Sequence, residues 1–267
     1  MDNGLRGHLE RLERQGLLRR VSQEVDKNTE LSSVMRWVYL GFPEEQRFAI
    51  MFDNVKGYSI PVVAGAIGAS YKTYAASLGI DPFQPRSHVM REVRERWIQA
   101  LDCPAAPTMV DAGPCKENIL KGKDVDIHKL PVPVWTPTKD RNWDKGFGFL
   151  TAPYHVTKDP ETGVRNVGTY RNMVREEPNV MGIGIFPGSH IWHHVTRNEK
   201  RGRATEIATV IGAHPALGMA ATTEVPYGVD ELAVAGALRQ APFELVKCET
   251  VDLEVPADAE IVIEGRL

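Results

Sequence analysis

The stretch Arg165-Asn166-Val167-Gly168-Thr169-Tyr170-Arg171 puts an amide, a glycine, a hydroxyl and an arginine within seven residues. It follows a turn-forming run, Lys158-Asp159-Pro160-Glu161-Thr162-Gly163. Glycine lets a backbone approach a bulky anion, and successive amide N–H groups can then cradle phosphate oxygens. Asn166 offers a hard carbonyl oxygen to a cation, and Arg171 offers a fixed fork to a carboxylate or phosphate. A loop with only a structural task has little need of all of these together.

A second polar cluster is Pro187-Gly188-Ser189-His190-Ile191-Trp192-His193-His194. Its histidines can ligate a metal or carry a proton near neutral pH. The alternative is a surface loop running into a helix, with the histidines solvated or packed on Trp192. A third cluster, Thr222 to Glu231, ends in Asp230 and Glu231 at a helix start. Carboxylates there can simply favour the positive end of the helix dipole, or one of them can turn inward and bind a cation. Asn166, one histidine and one glutamate would make an O/N/O set, which suits Mn²⁺ or Mg²⁺ better than a thiolate zinc site. Such a cation could bridge the protein to a phosphate-bearing cofactor.

The remaining charged stretches read as structural. Lys247-Cys248-Glu249 and Asp252-Leu253-Glu254 fit the polar face of a strand and its turn. Arg175-Glu176-Glu177 and Arg197 to Arg203 read as solvated charge. Asp140, Arg141, Asn142 and Trp143 read as a loop with a partly buried Trp143.

These residues need a scaffold, and composition bounds it. The 267 residues are 42% apolar and 25% charged, as in an ordinary globular protein. A net charge of −3 gives no reason to expect nucleic acid or an anionic membrane as partner. Cys103, Cys115 and Cys248 are too scattered for a disulfide framework or a zinc site. The start of the chain is charged and lacks the apolar core of a signal peptide, and no apolar run reaches spanning length. A cytoplasmic location is the expectation.

Leu5, Leu9 and Leu12 recur at helical spacing, with Gly16 placed to end the helix. Residues 21–25 alternate as a strand, and Thr29 is placed to cap a helix through Gly41. Strands over 49–55 and 61–67 flank a turn at Lys56-Gly57-Tyr58, and helices follow near 71–78 and 88–101. This alternation predicts an α/β unit, taken as residues 1–112. From 103 to 147 prolines such as Pro104, Pro114, Pro131 and Pro137 break any long helix and suggest an extended linker. Beyond it, strands at 149–155, 180–186, 206–211, 244–248 and 260–264 mix with one helix at 229–239. Gly and Pro at the strand ends favour an antiparallel sheet or barrel over 113–267.

Taken together, the chain resembles the UbiD family of decarboxylases. The matching stretches are Pro114-Cys115-Lys116-Glu117-Asn118, Leu130-Pro131-Val132-Pro133, residues 165–171, 187–190, 227–239 and 247–265, the last reading KCETVDLEVPADAEIVIEG. Gly16 to Val21 also fits, so the resemblance runs in order through the whole chain. It implies an α/β N-terminal domain followed by a mainly antiparallel split β-barrel of the flavin-reductase type. It implies prenylated FMN with Mn²⁺ (or Mg²⁺) and K⁺ as cofactors, and a carboxy-lyase acting reversibly on an aromatic or α,β-unsaturated acid. The Mn²⁺ ligands map to Asn166, His190 and Glu231. The cofactor falls against Asn166, Val167, Gly168, Thr169, Tyr170, Arg171, Ser189, His190 and Glu231. K⁺ would take backbone oxygens near Val167, Ala220, Ala221 and Thr223, sharing Glu231. His193 and His194 receive no role.

Arg171 matches the arginine of the family's acidic–Arg–acidic catalytic network, whose acidic members lie in a Pro-Glu-Gly-Pro stretch beyond Glu264 that this sequence lacks. The expectation is therefore the N-terminal part of a longer enzyme, a proteolytic fragment or one subunit of a split enzyme, inactive by itself. The resemblance further implies a flavin prenyltransferase as the source of cofactor and a homo-oligomer for the full-length form. The competing classes are a non-catalytic flavin- or metal-binding module and a pure interaction domain.

Overall fold

A computed structural model describes residues 4–135 and 148–267; the loop expected over 140–143 and the end of the linker expected over 103–147 lie outside them. Helix α1 (Leu5–Arg14) ends at Gly16, whose φ of +69° is the left-handed turn the sequence anticipates. It buries Leu12 against Leu17 and Leu18 at the start of β1 (Leu18–Val21). The expected strand over 21–25 thus begins earlier, because Leu18 belongs to that core. Val25 rejoins the sheet only through an isolated parallel bridge to Val55. Helix α2 (Leu31–Gly41) starts after Glu30 with no side-chain cap, so Thr29 does not cap it as expected. The turn that leads into it is held by Asp26, whose Oδ1 takes the Asn28 and Thr29 amides at 2.7 and 3.1 Å. Glu30 Oε2 reaches back to the Asp26 amide at 2.7 Å.

Strand β2 (Ala49–Phe52) pairs parallel with β1 and antiparallel with β3 (Val62–Ala64). Leu31, Met35 and Val38 of α2 pack on Ile50 and Phe52. Helices α3 (Tyr71–Ser77) and α4 (Arg86–Asp102) complete the α/β unit. The start of the stretch read as a linker instead docks onto the second half. β4 (Thr108–Met109) pairs parallel with β11 (below), and the Ala105 amide donates to Ala233 O at 2.9 Å.

The second half contains β5 (Phe149–Leu150), β6 (Tyr154–Lys158), β7 (Arg165–Thr169), β8 (Asn172–Val174), β9 (Met181–Ile183), α5 (His190–Glu199), β10 (Glu206–Ile211), α6 (Pro215–Ala221), α7 (Glu231–Leu238), β11 (Glu244–Lys247), β12 (Glu254–Pro256) and β13 (Ile261–Arg266). A four-stranded antiparallel sheet runs β13-β10-β6-β7, beside three-stranded sheets β12-β11-β4 and β5-β8-β9. The antiparallel character follows the sequence reading. Among the described residues, however, the sheets are small and open, and none closes into a barrel.

Strand alternation sorts the four-stranded sheet into two faces. Val156, Val167, Ala208 and Val210 share one core with Leu217 and Ala220 of α6 and Leu232, Ala235 and Leu238 of α7. Thr157 and Asn166, paired in register, turn to the other face and meet α5. β7 is the edge of this sheet, and the N-termini of α5 and α7 both arrive at that edge.

Gly218 makes the close seating of α6 possible. A Cβ there would lie 2.5 Å from Tyr154 Oη and 2.9 Å from Ile67 Cδ1. Gly218→Ala is expected to lower the unfolding free energy by about 1–3 kcal/mol through overpacking, measured by urea denaturation; an unchanged midpoint would show that the tyrosine yields freely.

Candidate functional site

Residues 165–169 of the run form strand β7, and Tyr170 and Arg171 link it to β8. Its polar residues gain strand geometry from pairing with β6, Thr157 opposite Asn166 and His155 opposite Gly168. The turn before it forms as read, with Gly163 at φ +72° and its amide bonded to Asp159 O at 2.8 Å. The space over Gly168 is filled by Tyr170, since a Cβ on the glycine would meet Tyr170 Cε2 at 2.6 Å. Burial raises the Tyr170 hydroxyl above its ordinary value.

Three groups converge at the β7 edge. Asn166 is 4% exposed, and its Oδ1 lies 3.1 Å from His190 Nδ1, on the first residue of α5. Glu231, the first residue of α7, is 3% exposed. Its Oε1 lies 3.7 Å from the same His190 nitrogen, and its Oε2 accepts the Val167 amide at 2.7 Å. Burial pushes the Glu231 carboxyl up to about 7, against the opposing bond from Val167. Burial also lowers His190.

Two carboxyl or amide oxygens thus face one imidazole nitrogen, whose single proton can serve only one of them. Among the described residues Asn166 Nδ2 is buried with no hydrogen-bond partner. Ligands about 2.1 Å from a hard cation and at right angles lie about 3.0 Å apart, close to the separations seen. A cation here would accept all three lone pairs and stabilise the ionised Glu231. The donor set therefore fits a hard divalent ion, although it holds fewer than three His, Cys, Asp or Glu side chains. The N-termini of α5 and α7 add positive potential for an anion.

The neighbouring Asp230 has a different task. Its Oδ1 accepts the Leu232 amide at 2.9 Å as helix cap, and its Oδ2 takes Arg165 Nη2 at 2.6 Å. Of the two carboxylates, Glu231 turns inward. Ser189 caps no amide and donates instead to Phe186 O at 2.7 Å. Thr169 Oγ1 is buried without a partner. Ala220 and Ala221 close α6, and Thr223 donates to Met219 O at 2.9 Å. Arg171 is exposed and has no hydrogen-bond or ion-pair partner among the described residues.

His194 is structural. It is buried, pairs through Nδ1 with Thr157 Oγ1 at 2.9 Å, and is lowered to about 4 by burial. His193 packs its ring on Trp192 and Tyr227. Tyr227 also stands edge-on to His190, with centroids 5.1 Å apart. Its hydroxyl donates to Asp159 Oδ2 at 2.7 Å, and Arg197 Nη1 donates to the same oxygen at 2.5 Å. Arg197 therefore belongs to this wall rather than to a solvated run. Asp159 and Arg197 stand far apart in the chain, and no local pattern joins them; the Asp-Pro turn marks only the place of Asp159.

Residues 108–267 match the family described as the 3-octaprenyl-4-hydroxybenzoate carboxy-lyase Rift-related domain (UbiD), and residues 9–97 match the corresponding N-terminal domain. The fold is similar to that of the UbiD-class enzyme HmfF from Pelotomaculum thermopropionicum in complex with prFMN, at 36% identity and a TM-score of 0.85, covering 99% of this chain and 57% of that one. It is also similar to vanillic acid decarboxylase from Sedimentibacter hydroxybenzoicus, at 31% identity and a TM-score of 0.89, covering 100% and 55%. Among sequences, the anhydromevalonate phosphate decarboxylase of Methanothermobacter thermautotrophicus is 31% identical over 264 residues, 98% of this chain and 55% of the relative. The chain spans about half the length of the curated relatives it matches. No helix among the described residues is long and apolar enough to cross a membrane.

Asp159 is 2% exposed. Burial by itself would raise its carboxyl, but the Glu161 amide, the Tyr227 hydroxyl and Arg197 outweigh that and hold it well below the usual carboxylate range. Its contribution is thus present above the ordinary carboxylate value and lost as pH falls through the folded one. Asp159→Asn is expected to cost about 1.5–3 kcal/mol of unfolding free energy, constant from pH 6 to 8 and shrinking below about pH 4. Denaturant melts across pH measure this; a penalty that grows on acidification would contradict it.

Proposed function

This chain belongs to the UbiD family, and on that footing we propose that it forms the cofactor-holding half of a carboxy-lyase that acts reversibly on an aromatic or α,β-unsaturated carboxylic acid with prenylated FMN. The observation that carries the reading is the convergence of Asn166 Oδ1, His190 Nδ1 and Glu231 Oε1 at the edge of β7, with Glu231 buried and tied to the Val167 amide. The likeness to an enzyme in complex with prFMN, and to decarboxylases of vanillic acid and anhydromevalonate phosphate, supports it.

In this reading Asn166, His190 and Glu231 hold Mn²⁺ (or Mg²⁺), the ion that hard oxygens with one imidazole favour. Backbone oxygens near Val167, Ala220, Ala221 and Thr223 hold K⁺, with Glu231 shared. The two cations would offset the negative charge of the flavin phosphate, which residues 166–171 and Ser189–His190 would hold. When bound, the prenylated flavin supplies the electron sink for loss of CO₂. Arg171 is the catalytic residue of this half. Its exposed guanidinium receives the substrate carboxylate in a two-pronged contact and orients it. A carboxylic acid paired with Arg171 in the whole protein returns the proton that replaces CO₂. In this reading turnover depends on that acid, and residues 1–267 alone are expected to be inactive.

The domain division we propose is 1–112 and 113–267, the second contributing to a split barrel in the whole enzyme. We also propose a cytoplasmic homo-oligomer that obtains its cofactor from a flavin prenyltransferase.

The test is to co-produce the full-length protein with a flavin prenyltransferase and assay CO₂ release from a panel of aromatic and unsaturated acids. Turnover is expected, with kcat/KM falling at least about 100-fold in Asn166→Ala and in Arg171→Ala. A flavin-free protein, or variants as active as the parent, would overturn the assignment.

A further inference from the structure

The geometry points to Arg165 and Asp230 as a clamp that sets the spacing between the cation ligands Asn166 and Glu231, a positioning role that rests on the reading of those residues as ligands. Each member of the pair immediately precedes a ligand in sequence. Arg165 precedes Asn166 on β7, and Asp230 precedes Glu231 at the start of α7. Arg165 Nε and Nη2 both donate to Asp230 Oδ2, at 3.1 and 2.6 Å. Asp230 Oδ1 is occupied by the Leu232 amide. One oxygen therefore sets where α7 begins, and the other ties that beginning to β7.

The pair is built for stiffness. Arg165 and Asp230 side chains are each 19% exposed, so solvent screens them less than a surface pair. Arg165 Nη1 also reaches Glu254 Oε2 at 2.9 Å, and Glu254 Oε1 takes Lys158 Nζ at 2.7 Å. The planar fork of arginine holds its donors to the two carboxylates at fixed angles, which the flexible ammonium of lysine does not. Neighbouring positions on a strand point to opposite faces. Arg165 thus stays on the α7 side while Asn166 faces α5, and the clamp does not enter the ligand set.

The site needs such a device. Glu231 is buried beside two other electron-rich groups, and its own tie to β7 is one bond to the Val167 amide. A carboxylate so placed relaxes toward water unless its backbone is held. The Arg165–Asp230 pair holds it from one residue away. Ligand spacing is then preset before a cation arrives, which is what outer contacts contribute at metal sites.

The experiment titrates Mn²⁺ into the metal-free, full-length protein and follows the six-line signal of free Mn²⁺ by electron paramagnetic resonance. Arg165→Met and Asp230→Asn are each expected to raise the Mn²⁺ dissociation constant about 10–100-fold. The double variant should be no worse than about threefold beyond the poorer single one, as coupled partners require. Asn retains the helix cap in Asp230→Asn, and Arg165→Lys, which keeps the charge, should lose affinity severalfold if Arg165→Met does not fold. Lys158→Met, which disturbs Glu254 but not Asp230, should bind within about twofold of the parent. A merely structural role would lower melting temperature in all of these without ranking their Mn²⁺ affinities. Parent-like affinity in folded Arg165→Lys and Asp230→Asn, or losses that simply multiply in the double variant, would overturn the clamp while leaving the metal reading intact. A parent protein that does not bind Mn²⁺ would overturn both.

Discussion

Glu231 is a carboxylate kept almost wholly out of water, and the arrangement around β7 follows from that fact. Isolated burial of an ionised carboxylate is costly, and the group answers by holding its proton more tightly. Here the carboxyl is pushed up to about 7, and its protein partners are the Val167 amide and, at longer range, His190. Two helix N-termini and the free edge of a strand supply the remaining favourable potential. A carboxylate, an amide oxygen and an imidazole nitrogen thus face one another, and the proposed cation would satisfy all three at once.

Two shells of charge keep that group in place. On the α7 side Arg165 spans Asp230 and Glu254, and Lys158 extends the chain of pairs. On the α5 side Asp159 gathers Arg197 and Tyr227, and the tyrosine ring forms a wall against His190. Neither shell contributes a ligand. Both sit at the ends of elements that the apolar core has already brought together, where small residues of α6 and α7 pack closely on β6 and β7. Packing decides which elements meet, and the paired charges refine how they meet.

Much of this was legible in the chain. Leu5, Leu9 and Leu12 with Gly16 marked α1, and the bounds of β10 followed from its short apolar run. β7 was hidden because Asn166 and Gly168 are poor strand formers; pairing with β6 overrides their preference. α6 was hidden as well. It is short and buried on nearly every side, so it shows no amphipathic period. Asp26 rather than Thr29 holds the turn into α2 because its side chain lies where two successive amides point.

The sequence by itself determined the elements with clear local signals, such as α1, α2, β2, β10 and α7, and the family resemblance, since turn, cap and periodicity signals act over a few residues. It could not distinguish Asp230 from Glu231 on chemistry, or join Asp159 to Arg197. Those choices belong to tertiary structure. A carboxylate becomes a cap, a clamp or a buried ligand according to which distant elements close over it, and burial and partner charge exist only once they have done so.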